Sequence, residues 1–451
     1  MTKPTARPAT RRTFLKSTAA AGVTLAAGSA AAQDGSEQPN AEDVKKAAHA
    51  AGSDEIKVGL IGCGGRGNGA GVQTLKADPG TRIVALADAF PEPIETFLKV
   101  GGAIEDVKDR IDVGDRKFVG LDCHTQLLDS ADVDLVVLAS PPHFRPLHYR
   151  AAVEAGKHVF AEKPVAVDGP GIREVLAVNE LAKEKQLSVV SGLCWRYETG
   201  LMDMVKELHG GLLGDTLFAE SVRYSGQVGR REPREKSKTE FEHALRNWFF
   251  RTWLSGDFCV EQFVHDLDMV CWALNEYPTS VICSGGRETR NDDGNIFDHF
   301  SALFDFESGV RYSATTRHQD GCENRYYNRV TGTAGTADLM RYSVKGHDGE
   351  RLYRGKRGDV PMHQSEHDFM YRDLRAGKPR HDGDYRAEST LTGIMMRESA
   401  YTGKAMSREQ VLNSGEHLAP VRYAWDADVP TQPVAVPGVT RLESTAASAE
   451  E

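Results

Sequence analysis

The chain has 451 residues, of which 40% are hydrophobic and 27% are charged, and it carries a formal net charge of −10 at pH 7. This balance is typical of a folded protein of two or three domains and excludes wholesale disorder. The excess of acidic residues argues against general binding of nucleic acids and of anionic membranes, both of which select clustered lysine and arginine. Beyond the N-terminus no run of about 18 apolar residues occurs, so we expect no membrane span.

Residues 1–32 form a predicted twin-arginine signal peptide. Arg11 and Arg12 stand in the pattern TRRTFLK, and an Ala-rich, weakly apolar stretch with small residues for cleavage follows. We therefore expect the twin-arginine export machinery as a partner, and the periplasm or another extracytoplasmic space as the location. No cysteine stands at the end of the signal, which argues against a membrane anchor. Because this route carries folded proteins, we expect a cofactor to be loaded before export.

The remaining chain divides by its pattern into a linker, two domains and a tail. Residues 33–55 are small and polar, as in a linker. Across residues 56–165, short apolar strands alternate with helical patterns, which predicts an α/β Rossmann fold with a doubly wound parallel sheet. Residues 166–405 contain alternating, strand-like segments separated by turn residues, beginning with LSVVSGLCWRY at 187–197. They predict an α+β domain with a mostly antiparallel open sheet, and residues 406–451 are a predicted C-terminal tail.

A dinucleotide fingerprint follows the first predicted strand. The hexapeptide GCGGRG at 62–67 matches G-x-G-x-x-G and opens a helix, whose N-terminal N–H groups favour phosphate. Its glycines permit a tight turn, close approach of a pyrophosphate and close helix packing. Asp88 ends the second predicted strand about 20 residues later, where an acid accepts hydrogen bonds from the ribose and disfavours a 2′-phosphate. The sequence therefore predicts NAD, with NADP as the weaker alternative. The predicted cofactor-binding residues are Gly62, Cys63, Gly64, Gly65, Arg66, Gly67, Asp88, Ser140, Pro141, His143, Glu162 and Lys163.

Two further motifs carry a family resemblance. SPPHF at 140–144 ends the third predicted strand, and AGKHVFAEKP at 155–164 contains a short strand that ends in Glu-Lys-Pro. Together with the fingerprint and Asp88, they resemble the glucose-fructose oxidoreductase / inositol dehydrogenase (Gfo/Idh/MocA) family over about residues 56–405. The resemblance implies an oxidoreductase acting on CH–OH groups, with Lys163 at the catalytic centre beside the nicotinamide. A lysine there can hold a substrate hydroxyl and stabilise the developing alkoxide.

A second cluster lies in EQFVHDLD at 261–268. Members of the family commonly show an acid, a histidine four residues later and an aspartate three residues beyond it. The resemblance therefore implies His265 as general base or acid and Glu261 as its carboxylate partner, and it implies that Asp268 either orients a partner or binds a substrate hydroxyl. On one continuous helix Glu261 and His265 would share a face. Glu261 stands where the family usually has aspartate, a departure that bears on the substrate more than on the reaction type.

Three further residues, Trp195, Arg196 and Tyr197, follow the predicted domain junction. The resemblance implies that they contact a sugar ring and its hydroxyls, and ordinary edge-strand packing is the alternative. His363 and His367 have the i, i+4 spacing of a helical metal pair, but no third ligand is evident and hydride transfer to nicotinamide needs no metal. We therefore predict no metal.

Three functions follow from these patterns. The first is an exported NAD-dependent oxidoreductase with a tightly bound cofactor, acting on a sugar, polyol or glycoside. The second is an NAD-dependent glycosidase that works by transient oxidation, elimination and reduction. The segment FVHDLDM at 263–269 lacks the His-Gly-Leu-Gly-Pro-like stretch of such glycosidases. The third is a non-catalytic binding protein, which the presence of Lys163 and His265 argues against. The resemblance also implies a homo-oligomer through the open face of the second sheet.

Overall fold

The computed structural model describes residues 55–229, 231–416, 418–429 and 433–443. The predicted signal peptide and almost all of the predicted linker lie outside this part of the chain. Both of the sheets described below belong to one compact unit, Asn40–Glu451. Among the described helices, none is long and apolar enough to cross a membrane.

The first sheet has six parallel strands in the order β3-β2-β1-β4-β5-β6. Its two central strands are almost completely buried, because helices connect the strands and cover both faces. This arrangement confirms the predicted Rossmann fold. The strands are β1 (Ile56–Ile61), β2 (Thr81–Asp88), β3 (Lys117–Val119), β4 (Leu135–Leu138), β5 (His158–Ala161) and β6 (Val189–Ser191). The helices are α1 (Gly65–Ala77), α2 (Pro91–Gly102), α3 (Cys123–Ser130), α4 (Arg145–Glu154) and α5 (Gly169–Glu184).

The parallel sheet continues past residue 165, where the sequence analysis places the end of the first domain. Helix α5 is the crossover to β6, which pairs in parallel with β5 through Val159 and Val189. A parallel strand needs such a crossover, so α5 and β6 belong with the first sheet. The prediction that 187–197 is a strand of the antiparallel domain is therefore wrong. Its start is β6, and its end, Cys194–Tyr197, is a short 3-10 helix.

The second sheet has nine strands in the order β14-β13-β12-β11-β7-β10-β9-β8-β15. All neighbouring pairs are antiparallel except β7 and β10, which run in parallel. Buried and half-buried residues alternate along β10, as expected for a sheet with one face on a core. The predicted mostly antiparallel open sheet is confirmed. The strands are β7 (Thr216–Ser225), β8 (Ser280–Gly286), β9 (His299–Asp305), β10 (Arg311–His318), β11 (Arg325–Gly332), β12 (Gly335–Asp338), β13 (Ser343–Gly346), β14 (Arg351–Arg354) and β15 (Met406–Ser407).

Helices cover the inner face of the second sheet and join it to the first. The longest of them, the last but one in the chain, is buried along nearly its whole length and packs against β8 and α5. It is therefore a shared core element of both halves. The helices are α6 (Thr199–His209), α7 (Glu240–Arg246), α8 (Thr252–Ser255), α9 (Phe258–Glu261), α10 (Val264–Leu274), α11 (Met362–Arg375), α12 (Gly383–Thr402) and α13 (Arg408–Leu412).

Candidate functional site

The glycine-rich loop between β1 and α1 has two kinds of glycine. Gly62 has a φ of +91°, and a Cβ added there would lie 2.5 Å from the backbone of Ala139 and Ser140. A Cβ on Gly67 would lie 1.9 Å from the carbonyl oxygen of Gly62. A Cβ on Gly64, in contrast, would meet no atom within 4 Å. Gly62 and Gly67 are therefore required by packing, whereas the loop at Gly64 leaves open the space that the fingerprint assigns to a pyrophosphate.

Asp88, at the carboxyl end of β2, lies against this loop. Its carboxylate accepts hydrogen bonds from the backbone N–H groups of Cys63 (2.7 Å) and Phe90 (3.0 Å). Burial raises the pKa of the carboxyl above its ordinary value, and the two backbone donors oppose that rise. The loop and the acid thus form one edge, where a dinucleotide would meet phosphate donors and a ribose acceptor.

The Arg66 side chain turns toward acids. Its guanidinium pairs with the buried carboxylates of Glu162 and Glu366, the latter at 3.1 Å, and also donates to Gln73 at 2.9 Å. Burial, together with the charge of Glu162, raises the pKa of Glu366 to about 7. Arg66 stands in the cofactor loop and its side chain pairs with Glu162, and the binding of either residue to NAD stays a prediction.

Ser140, Pro141 and His143 follow β4 at the same edge. The hydroxyl of Ser140 lies 3.0 Å from Nδ1 of His148. Nε2 of His143 lies 2.7 Å from the hydroxyl of Tyr423, a residue of the C-terminal tail. Burial lowers the pKa of His143 to about 4, so the ring is neutral at neutral pH. The tail thus reaches the turn that the sequence assigns to the cofactor.

Lys163 and Glu261 form the central contact of the site. Lys163 follows β5, and its peptide bond to Pro164 is cis. Its Nζ donates to the main-chain oxygen of Glu261 at 2.5 Å and to its carboxylate at 3.0 Å. The two side chains are only 16% and 12% exposed. The structure therefore brings together, from the two halves of the chain, the lysine and the acid that the sequence assigns to catalysis.

His265 lies close by, but not on the same helix as Glu261. Helix α9 ends at Glu261 and α10 begins at Val264, so the predicted continuous helix is interrupted. Burial and the charges of Lys163 and Arg223 lower the pKa of His265 well below its ordinary value. The imidazole is therefore neutral at neutral pH. Its Nδ1 is buried and has no hydrogen-bond partner among the described residues.

The four predicted substrate ligands are engaged inside the protein. Arg196 and Asp268 form an ion pair at 2.9 Å, and Asp268 also accepts from Ser389 at 2.6 Å. The hydroxyl of Tyr197 donates to Asp382 in the core. Trp195 is half-buried against the main hydrophobic cluster. For Trp195 to Tyr197 these contacts are what the packing alternative expects, and the contact of the four residues with a sugar stays a prediction.

Two features of the site carry no motif and are missed by the sequence. The first is a cluster around Arg223. The guanidinium of this residue donates to Asp266 at 3.1 Å and lies 5.4 Å from the ring of Tyr326. These residues come from β7, α10 and β11, so only the folded sheet brings them beside His265. The second is a cavity of about 280 Å³ that has Glu261 and Trp248 in its wall. The two features add polar and aromatic groups, which suit a sugar, beside His265 and Glu261.

His363 and His367 do not converge on one point. His367 stacks on Phe160 and lies 2.9 Å from the Thr74 hydroxyl, away from His363. Within the described residues, one cluster of side chains has the atom types of metal ligands. Its ligand-type atoms, from Cys194, His363 and Glu366, lie within 4.8 Å of one another. The Arg66 guanidinium already contacts Glu366, so a positive charge is in place there without a metal.

Comparison with known proteins gives the family. The family model described as "Oxidoreductase family, NAD-binding Rossmann fold" matches residues 56–193, and the model described as "GFO/IDH/MocA C-terminal domain" matches residues 207–338. The chain belongs to the Gfo/Idh/MocA oxidoreductase family. The first match extends to residue 193, in agreement with the six-stranded sheet and its last strand, β6.

Relatives within this family include two inositol dehydrogenases. The chain is 25% identical to the inositol 2-dehydrogenase of Burkholderia cenocepacia over 259 residues, which are 57% of this chain and 65% of that protein. It is 28% identical to inositol 2-dehydrogenase 3 of Saccharopolyspora erythraea over 57% of this chain and 64% of that protein. The matched region therefore covers slightly less than two thirds of these relatives.

Solved structures share the fold. The aldose-aldose oxidoreductase of Caulobacter crescentus, complexed with glycerol, has a TM-score of 0.60 and 16% identity over 78% of this chain and 99% of that one. A levoglucosan dehydrogenase in complex with NADH and levoglucosan has a TM-score of 0.60 and 19% identity over 79% of this chain and 100% of that one. At these identities the likeness shows the fold alone.

Proposed function

We propose that this family member is an NAD-dependent oxidoreductase that transfers a hydride between the nicotinamide and a hydroxyl-bearing carbon of a sugar, polyol or glycoside. The observation that carries the proposal is the contact of Lys163 with Glu261 beside a neutral His265, next to the NAD-binding loop. The inositol dehydrogenases among the relatives support a polyol or sugar, as do the aldose and levoglucosan enzymes among the solved structures.

Each residue has a distinct task in this proposal. Bound NAD supplies the hydride acceptor or donor. The neutral imidazole of His265 takes the proton of the substrate hydroxyl, and the ammonium group of Lys163 stabilises the negative charge that develops on that oxygen. Glu261 holds Lys163 by two oxygens, so the ammonium group is positioned before substrate binds. Arg223, beside His265, offers further donors for the remaining hydroxyls.

The proposal includes export by the twin-arginine route to an extracytoplasmic space, on the strength of the TRRTFLK pattern. Free NAD is scarce there, so the cofactor would be bound tightly, loaded before export and recycled in place. We also propose a homo-oligomer. Phe218 on β7 and Ile282 on β8 are exposed on the outer face of the second sheet, where a second copy would cover them.

The first experiment identifies the nucleotide and then the substrate. The exported protein is purified and denatured, and any released nucleotide is identified by mass spectrometry, with near-stoichiometric NAD(H) expected. Sugars and polyols, with inositol first, are then screened for reduction of the bound nicotinamide by wild type and by Lys163→Met. Activity that survives in Lys163→Met at the wild-type rate would refute the assigned site. Release of sugar from a nitrophenyl glycoside without net change of nicotinamide would instead show the glycosidase.

A further inference from the structure

The C-terminal strap, which we define as residues 418–429, folds back over the Rossmann sheet. Its apolar residues join a hydrophobic cluster that includes the buried side chains of Phe241 and Trp253. The same cluster reaches Phe90 and Phe144, which follow β2 and β4. The strap therefore crosses the edge of the sheet at which these two strands end. The strap residues in the cluster are Leu418, Ala419, Ala424, Ala427 and Val429.

Two aromatic residues fix the strap in this place. The ring of Trp425 lies 5.6 Å from that of Phe90, and the ring of Tyr423 lies 5.5 Å from that of Phe144. The Tyr423 hydroxyl is 2.7 Å from Nε2 of His143. Aromatic pairs at these separations add attraction beyond their buried area. The strap is thus held by specific contacts on the two turns that follow β2 and β4.

These turns are the ones that face a dinucleotide. In an open α/β sheet the ligand lies outside the carboxyl ends of the strands, where the strand order reverses. Here Asp88 ends β2, and Phe90, under Trp425, stands two residues beyond it. A second covering element comes from α7, whose Arg246 places its guanidinium 4.0 Å above the ring of Phe90 and pairs with Glu92 at 3.2 Å.

We infer that the C-terminal strap forms the outer wall of the adenosine half of the NAD site and slows release of the cofactor. This inference rests on the proposed function, in which NAD is held tightly, and it names the part of the chain that holds it. Trp425 is 37% exposed, so it lies at the solvent-facing side of the strap. Release of NAD then requires the Trp425 and Tyr423 contacts to break first.

The test measures the rate of NADH release from the whole protein, by the loss of nucleotide fluorescence when the loaded protein is diluted into an excess of NAD. The perturbed form is the double variant Tyr423→Ala and Trp425→Ala. Val421→Ala is the matched control, because Val421 is a fully exposed apolar residue of the same strap. We expect release to become about tenfold faster or more in the double variant, as lost aromatic contacts shorten residence, and to stay unchanged in the control.

A milder variant guards against misfolding. Tyr423→Phe removes only the hydroxyl that meets His143, and we expect release to quicken by about two- to tenfold. Equal release from wild type and both variants, with NAD bound to wild type, would overturn the role of the strap and leave the proposed function standing. Tighter binding or faster uptake in the variants, with unchanged release, would overturn it as well, because the strap would then obstruct the site. A wild-type protein that binds no NAD would overturn both.

Discussion

Gly64→Ala separates binding of NAD from stability of the fold. The backbone of Gly64 has φ −67° and ψ −168°, which alanine tolerates, and the added Cβ meets no protein atom within 4 Å. The apo protein is therefore expected to keep its stability. If a pyrophosphate lies against this backbone, the methyl group displaces it and costs charge-assisted hydrogen bonds of about 1.5–3 kcal/mol. The dissociation constant for NAD should then rise by about 10- to 150-fold.

Two other glycines serve as contrasts. Gly67→Ala places its Cβ 1.9 Å from the Gly62 carbonyl oxygen, so it should lower the free energy of unfolding by about 1–3 kcal/mol or more. At Gly102, the last residue of α2, an added Cβ would also meet no atom within 4 Å. Gly102→Ala should therefore lower neither the affinity for NAD nor the free energy of unfolding. Calorimetry measures NAD affinity on protein stripped of nucleotide, and urea unfolding measures stability. Unchanged affinity in Gly64→Ala would refute the approach of the pyrophosphate to this loop.

Further variants test the catalytic pair and the buried charges. Glu261→Gln keeps the shape but removes the charge beside Lys163, so kcat should fall by about 10- to 100-fold with NAD affinity unchanged; an unaltered kcat would contradict the pairing. Burial lowers the pKa of His318 to about 3, so below pH 6.5 the unfolded chain binds a proton that the folded chain does not. The free energy of unfolding therefore decreases as the pH decreases. Between pH 7 and pH 5 the loss at this residue is about 2 kcal/mol, and His318→Gln should abolish that part of the loss in urea unfolding at the two pH values. Arg397→Met leaves the carboxylates of the buried Glu398 and the half-buried Glu416 without their guanidinium and should cost about 3–5 kcal/mol, whereas Arg422→Ala, in an exposed pair, should cost about 1 kcal/mol or less; equal melting temperatures would contradict this difference.

The first sheet shows what sequence can establish. Strands β1, β2 and β4 lie in apolar runs that lead to glycine, aspartate or serine, so their alternation with helical patterns predicts the parallel sheet. Strands β3 and β6 have only three residues each, and so short a segment shows no period that would assign it to a sheet. The placement of β6 comes from its crossover helix and its pairing with β5, which are properties of the tertiary structure.

The candidate site divides in the same way. Lys163, Glu261 and His265 stand in motifs, so the resemblance finds them. The resemblance also points to Trp195 to Tyr197, but their orientation depends on partners that are distant in the chain, such as Asp268 and Asp382. A pattern gives the residue type at a position and not the partner that engages it.

The geometry around Lys163 gives the departure from the family pattern a physical meaning. Lys163 is held by two oxygens of Glu261, and the one at 2.5 Å belongs to the main chain. That contact does not depend on which acid stands at position 261. The longer glutamate side chain is what reaches the ammonium at 3.0 Å from the end of α9, before the helix break at 262–263. A shorter acid at position 261 would lack one carbon–carbon bond and would hold its carboxylate about 1.5 Å further from the lysine, because the main chain at 261 fixes where the side chain starts. Glutamate therefore supplies the side-chain contact with Lys163, whereas the main-chain contact would persist with either acid.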